Sequence, residues 1–156
     1  MRDFIVRLAA FVVLCVFVNF MFGAAPVNGQ GMYPGLRDGD LVVFYKVNAQ
    51  FSIGDVVTFK RSKIRRYGRI AACGGDTVDM TGEGQLMVNG SIQQEETVYP
   101  TFKDGKATAF PVTLKKDEVF VLGDNRVSTV DSRDFGPLPV SSIDGKVITL
   151  LRHRGI

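Results

Sequence analysis

Most of the residues with chemistry to offer sit in one short stretch, Gly123 to Gly136. It sets Asp124, Asp131 and Asp134 among Arg126, Arg133, Ser128, Thr129 and Ser132. Three carboxylates in eleven residues suggest paired acid and base groups, but the interleaved guanidiniums favour a different reading. Asp–Arg pairs bind bidentately, so a turn of this composition can satisfy and lock itself. Outside it, Cys73 is a possible thiol nucleophile, although a free cysteine on a strand more often packs as a small hydrophobe. His153 is the only histidine. That argues against a Ser-His-Asp triad and against a histidine-based zinc site, so no metal and no cofactor is expected. Cys15 lies in an apolar run, badly placed to pair with Cys73, and two cysteines make no disulfide framework.

These groups need elements to hold them. Beyond Asp40 the chain alternates short apolar runs with glycine and aspartate turns: 41–45, 56–60, 69–73, 77–80, 85–88, 118–122 and 146–151. β-Branched and aromatic runs at such spacing predict an all-β sandwich or barrel. Asn89-Gly90 is a strong hairpin signal. Between residues 91 and 116 the pattern weakens around Tyr99-Pro100 and Phe110-Pro111, which predicts a small insertion or edge hairpin. Val27 to Asp40 carries glycines at 29, 31, 35 and 39 with Pro34, a composition that excludes a helix and predicts tight turns.

The first 25 residues differ in kind. Leu8 to Ala25 holds no charged side chain, and eighteen residues of helix cover roughly 27 Å, enough to span a bilayer. Arg2 and Arg7 precede the run and nothing charged follows until Arg37. The positive-inside bias then leaves residues 1–7 in the cytoplasm, 8–25 as a single-pass anchor in the cell membrane, and 26–156 outside the cytoplasm. A cleaved signal peptide is the competing reading, since Gly23-Ala24-Ala25 offers small residues, but Pro26 is a poor neighbour for a cleavage point.

Of 19 Lys and Arg and 16 Asp and Glu, two cations and Asp3 precede Pro26, leaving a net of +2 beyond it. That is too small a surplus to predict nucleic-acid binding. The dense basic run from Lys60 to Arg69 reads first as a solvated hairpin tip and second as a surface for anionic lipid headgroups.

The order of residues carries more than their composition. Gly123-Asp124-Asn125-Arg126, then Asp131-Ser132-Arg133, then Phe135-Gly136 resembles the signature of the bacterial type I signal peptidases. Gly31-Met32-Tyr33-Pro34-Gly35-Leu36 through Gly39-Asp40 resembles that family's Ser-Met-x-Pro-Thr-Leu box and following Gly-Asp. Gly54 to Phe59 resembles its Gly-Asp-Ile-Val-Val-Phe strand, and Tyr67 to Asp76 its Lys-Arg-Val-Ile-Gly-Leu-Pro-Gly-Asp box. Asp144-Gly145-Lys146-Val147 is a weaker match near the end. The resemblance implies a signal-peptidase-like β domain behind one N-terminal transmembrane helix. It also implies a chemistry in which a Ser hydroxyl attacks the scissile carbonyl and a desolvated Lys amine takes its proton.

Both catalytic positions depart from that pattern. The nucleophile position falls on Gly31 and the base position on Gly68, neither of which can do the work. Thr of the first box is Gly35, and the Gly-Leu-Pro of the base box is Ala72-Cys73-Gly74. No Ser, Thr or Cys lies between Pro26 and Tyr45 to replace the nucleophile. The resemblance therefore implies a silent member that keeps a peptide groove walled by Gly31, Met32, Tyr33, Pro34 and Gly68, with residues 123–126 and 131–133 as structural support. In lacking the dyad it resembles accessory proteins of Gram-positive pilus assembly. The expected partners are pilin or other exported segments bound as extended peptide, a sortase, and membrane lipid. The alternative is an active signal peptidase using a non-standard residue such as Cys73.

Overall fold

The apolar N-terminal run folds as a helix, α1 (Arg2–Met21), with none of its residues buried against the rest of the chain. The structure is a computed structural model that describes residues 2–47, 50–94, 99–103 and 108–152. Among these, α1 is the helix long and apolar enough to cross a membrane. It begins and ends earlier than the run 8–25 implies. Arg2 to Arg7 are helical, and Phe22–Pro26 is a strand, β1. Gly23 and Pro26 are poor helix residues. As a strand, Phe22–Pro26 pairs all five residues with β2 (Leu41–Tyr45). Gly23 is also required there, because a side chain would collide with the Phe44 ring.

The remaining strands are β3 (Val56–Arg61), β4 (Ile64–Cys73), β5 (Thr77–Met80), β6 (Leu86–Val88), β7 (Ser91–Ile92), β8 (Val112–Thr113), β9 (Glu118–Leu122), β10 (Leu138–Pro139) and β11 (Ile143–Leu151). They form two antiparallel sheets, ordered β1-β2-β11-β3-β4-β9-β10 and β7-β6-β5-β8. The all-β expectation holds, and β7 and β8 put the ends of the weak 91–116 region on the two edges of the small sheet. Its stretches 95–98 and 104–107 lie outside the described residues.

Strand β9 explains how the layers stack. Val119 and Val121 pack with Val57, Phe59 and Ile70 on one face, while Phe120 and Leu122 pack with Val78, Met80 and Leu86 on the other. A strand buried on both faces has no reason to alternate, which is why Val119 to Leu122 reads as a continuous apolar run. A third cluster, Val27, Met32, Leu36 and Val42, closes the core under the 27–40 loop. The basic run is a hairpin, β3–β4, whose Ser62 and Lys63 take φ of 50° and 66° in a two-residue turn.

Candidate functional site

The 123–136 stretch is the frame of the site. Asp131 caps the four-residue helix α2 (Ser132–Phe135) in a capping box with Asp134. Its carboxylate also accepts from the Gly123 amide at 3.1 Å and from the Arg133 guanidinium at 3.0 and 3.1 Å. Arg133 donates onward to the Arg126 carbonyl, and Arg126 to the Gly123 carbonyl and the Thr101 hydroxyl. The buried Ser132 hydroxyl accepts from the Val121 amide at 3.0 Å, fastening the knot to β9. Charges this deeply buried persist when their partners are complete. The self-satisfying turn expected from composition is therefore present, except that Asp124 is paired from outside it. Asp124 pairs with Arg69 of β4, not with Arg126: Nε to Oδ1 is 2.8 Å and Nη2 to Oδ2 is 2.7 Å.

This frame brings Gly31 and Gly68 to one short segment. Gly31 accepts from the Asn125 amide at 3.1 Å, and a Cβ placed on it would stand 3.2 Å from Thr129 Oγ1. A Cβ on Gly68 would stand 3.2 Å from Val121 Cβ, 3.5 Å from the Leu122 carbonyl and 3.6 Å from Phe59. The two glycines thus flank Val121 to Asn125 from either side. Position 68 opens into the apolar core, the setting in which an amine would be desolvated.

A cleft of about 720 Å³ runs past Gly31, walled by residues 27–32, 64–67 and 127–130. The loop residues that follow do not form one wall. Met32 lies on the edge of this cleft, yet it is 3% exposed and belongs to the core. Tyr33 is exposed under the Arg37 guanidinium. Pro34, joined to Tyr33 by a cis bond, lines a separate cleft of about 480 Å³ with Gly35, Arg69 and Asp124. Met32 thus serves both the cleft edge and the core cluster with Val27, Leu36 and Val42.

Other groups around the cleft supply hydroxyls. Ser128 and Thr129, both in the 123–136 stretch, line it, and the place of Thr129 beside Gly31 follows only from the fold. Tyr67 donates to the Pro26 carbonyl at 3.0 Å, and burial pushes its phenol above the ordinary value, so it stays protonated. Cys73 pairs with Val119, at the opposite end of β9 from Gly123. Burial first, then the nearby Asp76 and Asp55 carboxylates, raise its thiol above the usual range. A raised thiol is a poor nucleophile at neutral pH. Among the described residues there is no cluster of His, Cys, Asp or Glu able to hold a metal.

Two residues far apart in sequence fix the loop from below. Asp40, 3% exposed, accepts from Arg152 at 2.7 to 3.2 Å, and Arg152 also donates to the Gly35 carbonyl. The Arg152 guanidinium holds the Asp40 carboxyl below its ordinary value despite burial.

Comparison with known proteins agrees with the motifs. The family described as Signal peptidase, peptidase S26 matches residues 1–151. Signal peptidase I S of Bacillus subtilis is 33% identical over 79% of this chain and 73% of its own length. Thylakoidal processing peptidase 1 of Arabidopsis thaliana is 34% identical over 90% of this chain, which spans only 46% of that protein. A crystal structure of a signal peptidase I from Enterococcus faecalis superposes with a TM-score of 0.53 at 26% identity, covering 65% of this chain and 98% of that one. The apolar α1 and these relatives fit a membrane-anchored protein. The chain belongs to the signal peptidase family, peptidase S26.

Proposed function

We propose that this family member binds exported polypeptides without cutting them. The observation that carries the reading is the pair Gly31 and Gly68. The buried Asp131–Arg133–Arg126 frame is in place, a cleft runs past Gly31, and the two positions that resemble the nucleophile and the base have no side chain. Removing the catalytic triad of a serine protease costs about 10⁶ in kcat, so dyad-dependent cleavage by this chain is negligible. Binding needs no dyad, since an extended segment is held by backbone hydrogen bonds and side-chain pockets. We assign it an accessory, chaperone-like role in pilus or surface-protein assembly. The N-terminus of α1 is then cytoplasmic and the β domain lies outside the cell membrane, on the strength of Arg2 and Arg7.

The test sets the native chain beside a Gly31→Ser, Gly68→Lys double variant in a preprotein cleavage assay. The expected outcome is no cleavage by the native chain and measurable cleavage by the variant. Binding of pilin subunits to the native protein checks the accessory role, and absence of any affinity would remove it. A second reading, an active peptidase with another nucleophile, has the Thr129 hydroxyl beside Gly31 in its favour. It requires cleavage by the native chain that Thr129→Val abolishes.

A further inference from the structure

We infer that the notch between α1 and the large sheet is a binding site for the headgroup of an anionic phospholipid. The inference rests on reading α1 as a membrane span. The notch, about 670 Å³, is lined on the helix side by Leu14 and Val18 and on the sheet side by Phe44, Lys46 and Arg65. Apolar side chains on both walls, with two cations on the sheet side, match a molecule that carries acyl chains and a phosphate.

Strand register fixes the height of these cations. Phe22 pairs with Tyr45, Tyr45 with Lys146, Lys146 with Val57, and Val57 with Gly68, so these residues form one row across the sheet. That row marks where α1 ends and β1 begins. Strand β3 continues four residues past it, to Arg61, which at about 3.4 Å per residue is roughly 13 Å. From the other side, α1 descends seven residues from Met21 to Leu14, about 10 Å of helix. The two measures agree. The hairpin tip stands alongside the outer two turns of the apolar helix.

The charge there is strongly one-signed. Lys60, Arg61, Lys63, Arg65 and Arg66 all lie on the overshooting hairpin, and Lys46 at the end of β2. Lys46 Nζ donates to a neutral group, the Asn19 carbonyl, at 2.8 Å. Arg65 pairs with Asp144 at 3.0 Å, donates to Thr58, and lies over the Phe44 ring. A lipid phosphate would add to Lys46 a charged partner that it lacks among the described residues. It would also share Arg65, whose side chain remains a quarter exposed.

The experiment uses the full chain in neutral detergent micelles, with native mass spectrometry reading bound phosphatidylglycerol against phosphatidylcholine. Each cation near an anionic lipid surface adds about 1 kcal/mol. For the two notch cations the expected preference for phosphatidylglycerol is therefore about thirtyfold, falling to near unity in Lys46→Gln, Arg65→Gln and returning in part with Arg65→Lys. Lys60→Gln, Lys63→Gln, which changes the tip outside the notch, should keep the preference. Equal retention of both lipids by the native chain overturns the proposal, as does a preference that follows the tip pair instead of the notch pair. Inorganic phosphate at millimolar concentration should leave lipid binding unchanged, and full displacement would overturn a lipid-specific site. Alkaline extraction of vesicles separates this idea from its premise. A chain that washes off overturns the span, whereas one that stays without lipid preference overturns the notch alone.

Discussion

A Cβ on Gly35 would stand 2.5 Å from Asp124 Oδ2 and 3.6 Å from Arg69 Nη2, inside the fork that joins the two. The departure from threonine at this position therefore has a local counterpart, a carboxylate that occupies the space a side chain would take. Gly35→Ala must displace the Asp124–Arg69 pair, and we expect a loss of about 1–3 kcal/mol, read as a lower midpoint in thermal unfolding. Gly35→Thr, although it restores the residue of the resembled box, should cost at least as much. A neutral or stabilising result would show that the pair yields easily. The residue scale is also where sequence reasoning ran out. Asp124 and Arg69 are 55 positions apart, and Asp40 and Arg152 are 112 apart. Nothing local in either segment names its partner.

Among the elements, the β3–β4 hairpin carries a cost that its sequence advertises. Ser62 and Lys63 both hold positive φ, the conformation of a type I′ turn, in which L side chains other than Asn and Asp are disfavoured. Replacing the pair with Asn-Gly should stabilise the protein by about 0.5–1 kcal/mol, seen as a higher unfolding temperature with no change in fold. Most strands were legible because period, branching and turn residues agree, as at Leu41–Tyr45 and Thr77–Met80. Strand β1 was not. Phe22-Gly23-Ala24-Ala25-Pro26 continues the apolar run without a polar break, so hydropathy assigns it to the span. Only its pairing with β2 marks it as a strand, and that pairing is a long-range fact. Of the site, the 123–136 frame was legible as a self-contained polar turn, and the two glycines through resemblance. The core role of Met32 was hidden by its place in a glycine-rich loop.

For the molecule as a whole, Asp40 and Arg152 tie the first turn-rich loop to the end of β11. Since Arg152 lowers the Asp40 pKa in the folded state, the stabilisation is present above the unfolded value of about 4. It is lost as pH falls from there through the depressed value. The native chain should therefore be more stable than Arg152→Gln at pH 7, and the gap should close progressively below pH 4. Thermal midpoints across pH 2 to 7 check this, and a gap that persists unchanged into strong acid would assign the effect to packing. The join between α1 and β1 has a different consequence. Strand follows helix without an intervening residue, and Lys46 bonds back to the Met21 and Asn19 carbonyls. A domain mounted this way has no tether to swing on. With α1 across a bilayer, its cleft is held at one altitude above the lipid, like a fixed gauge. Under the binding role proposed above, the segment taken is the one that passes at that height, so selection is by distance from the membrane before it is by sequence.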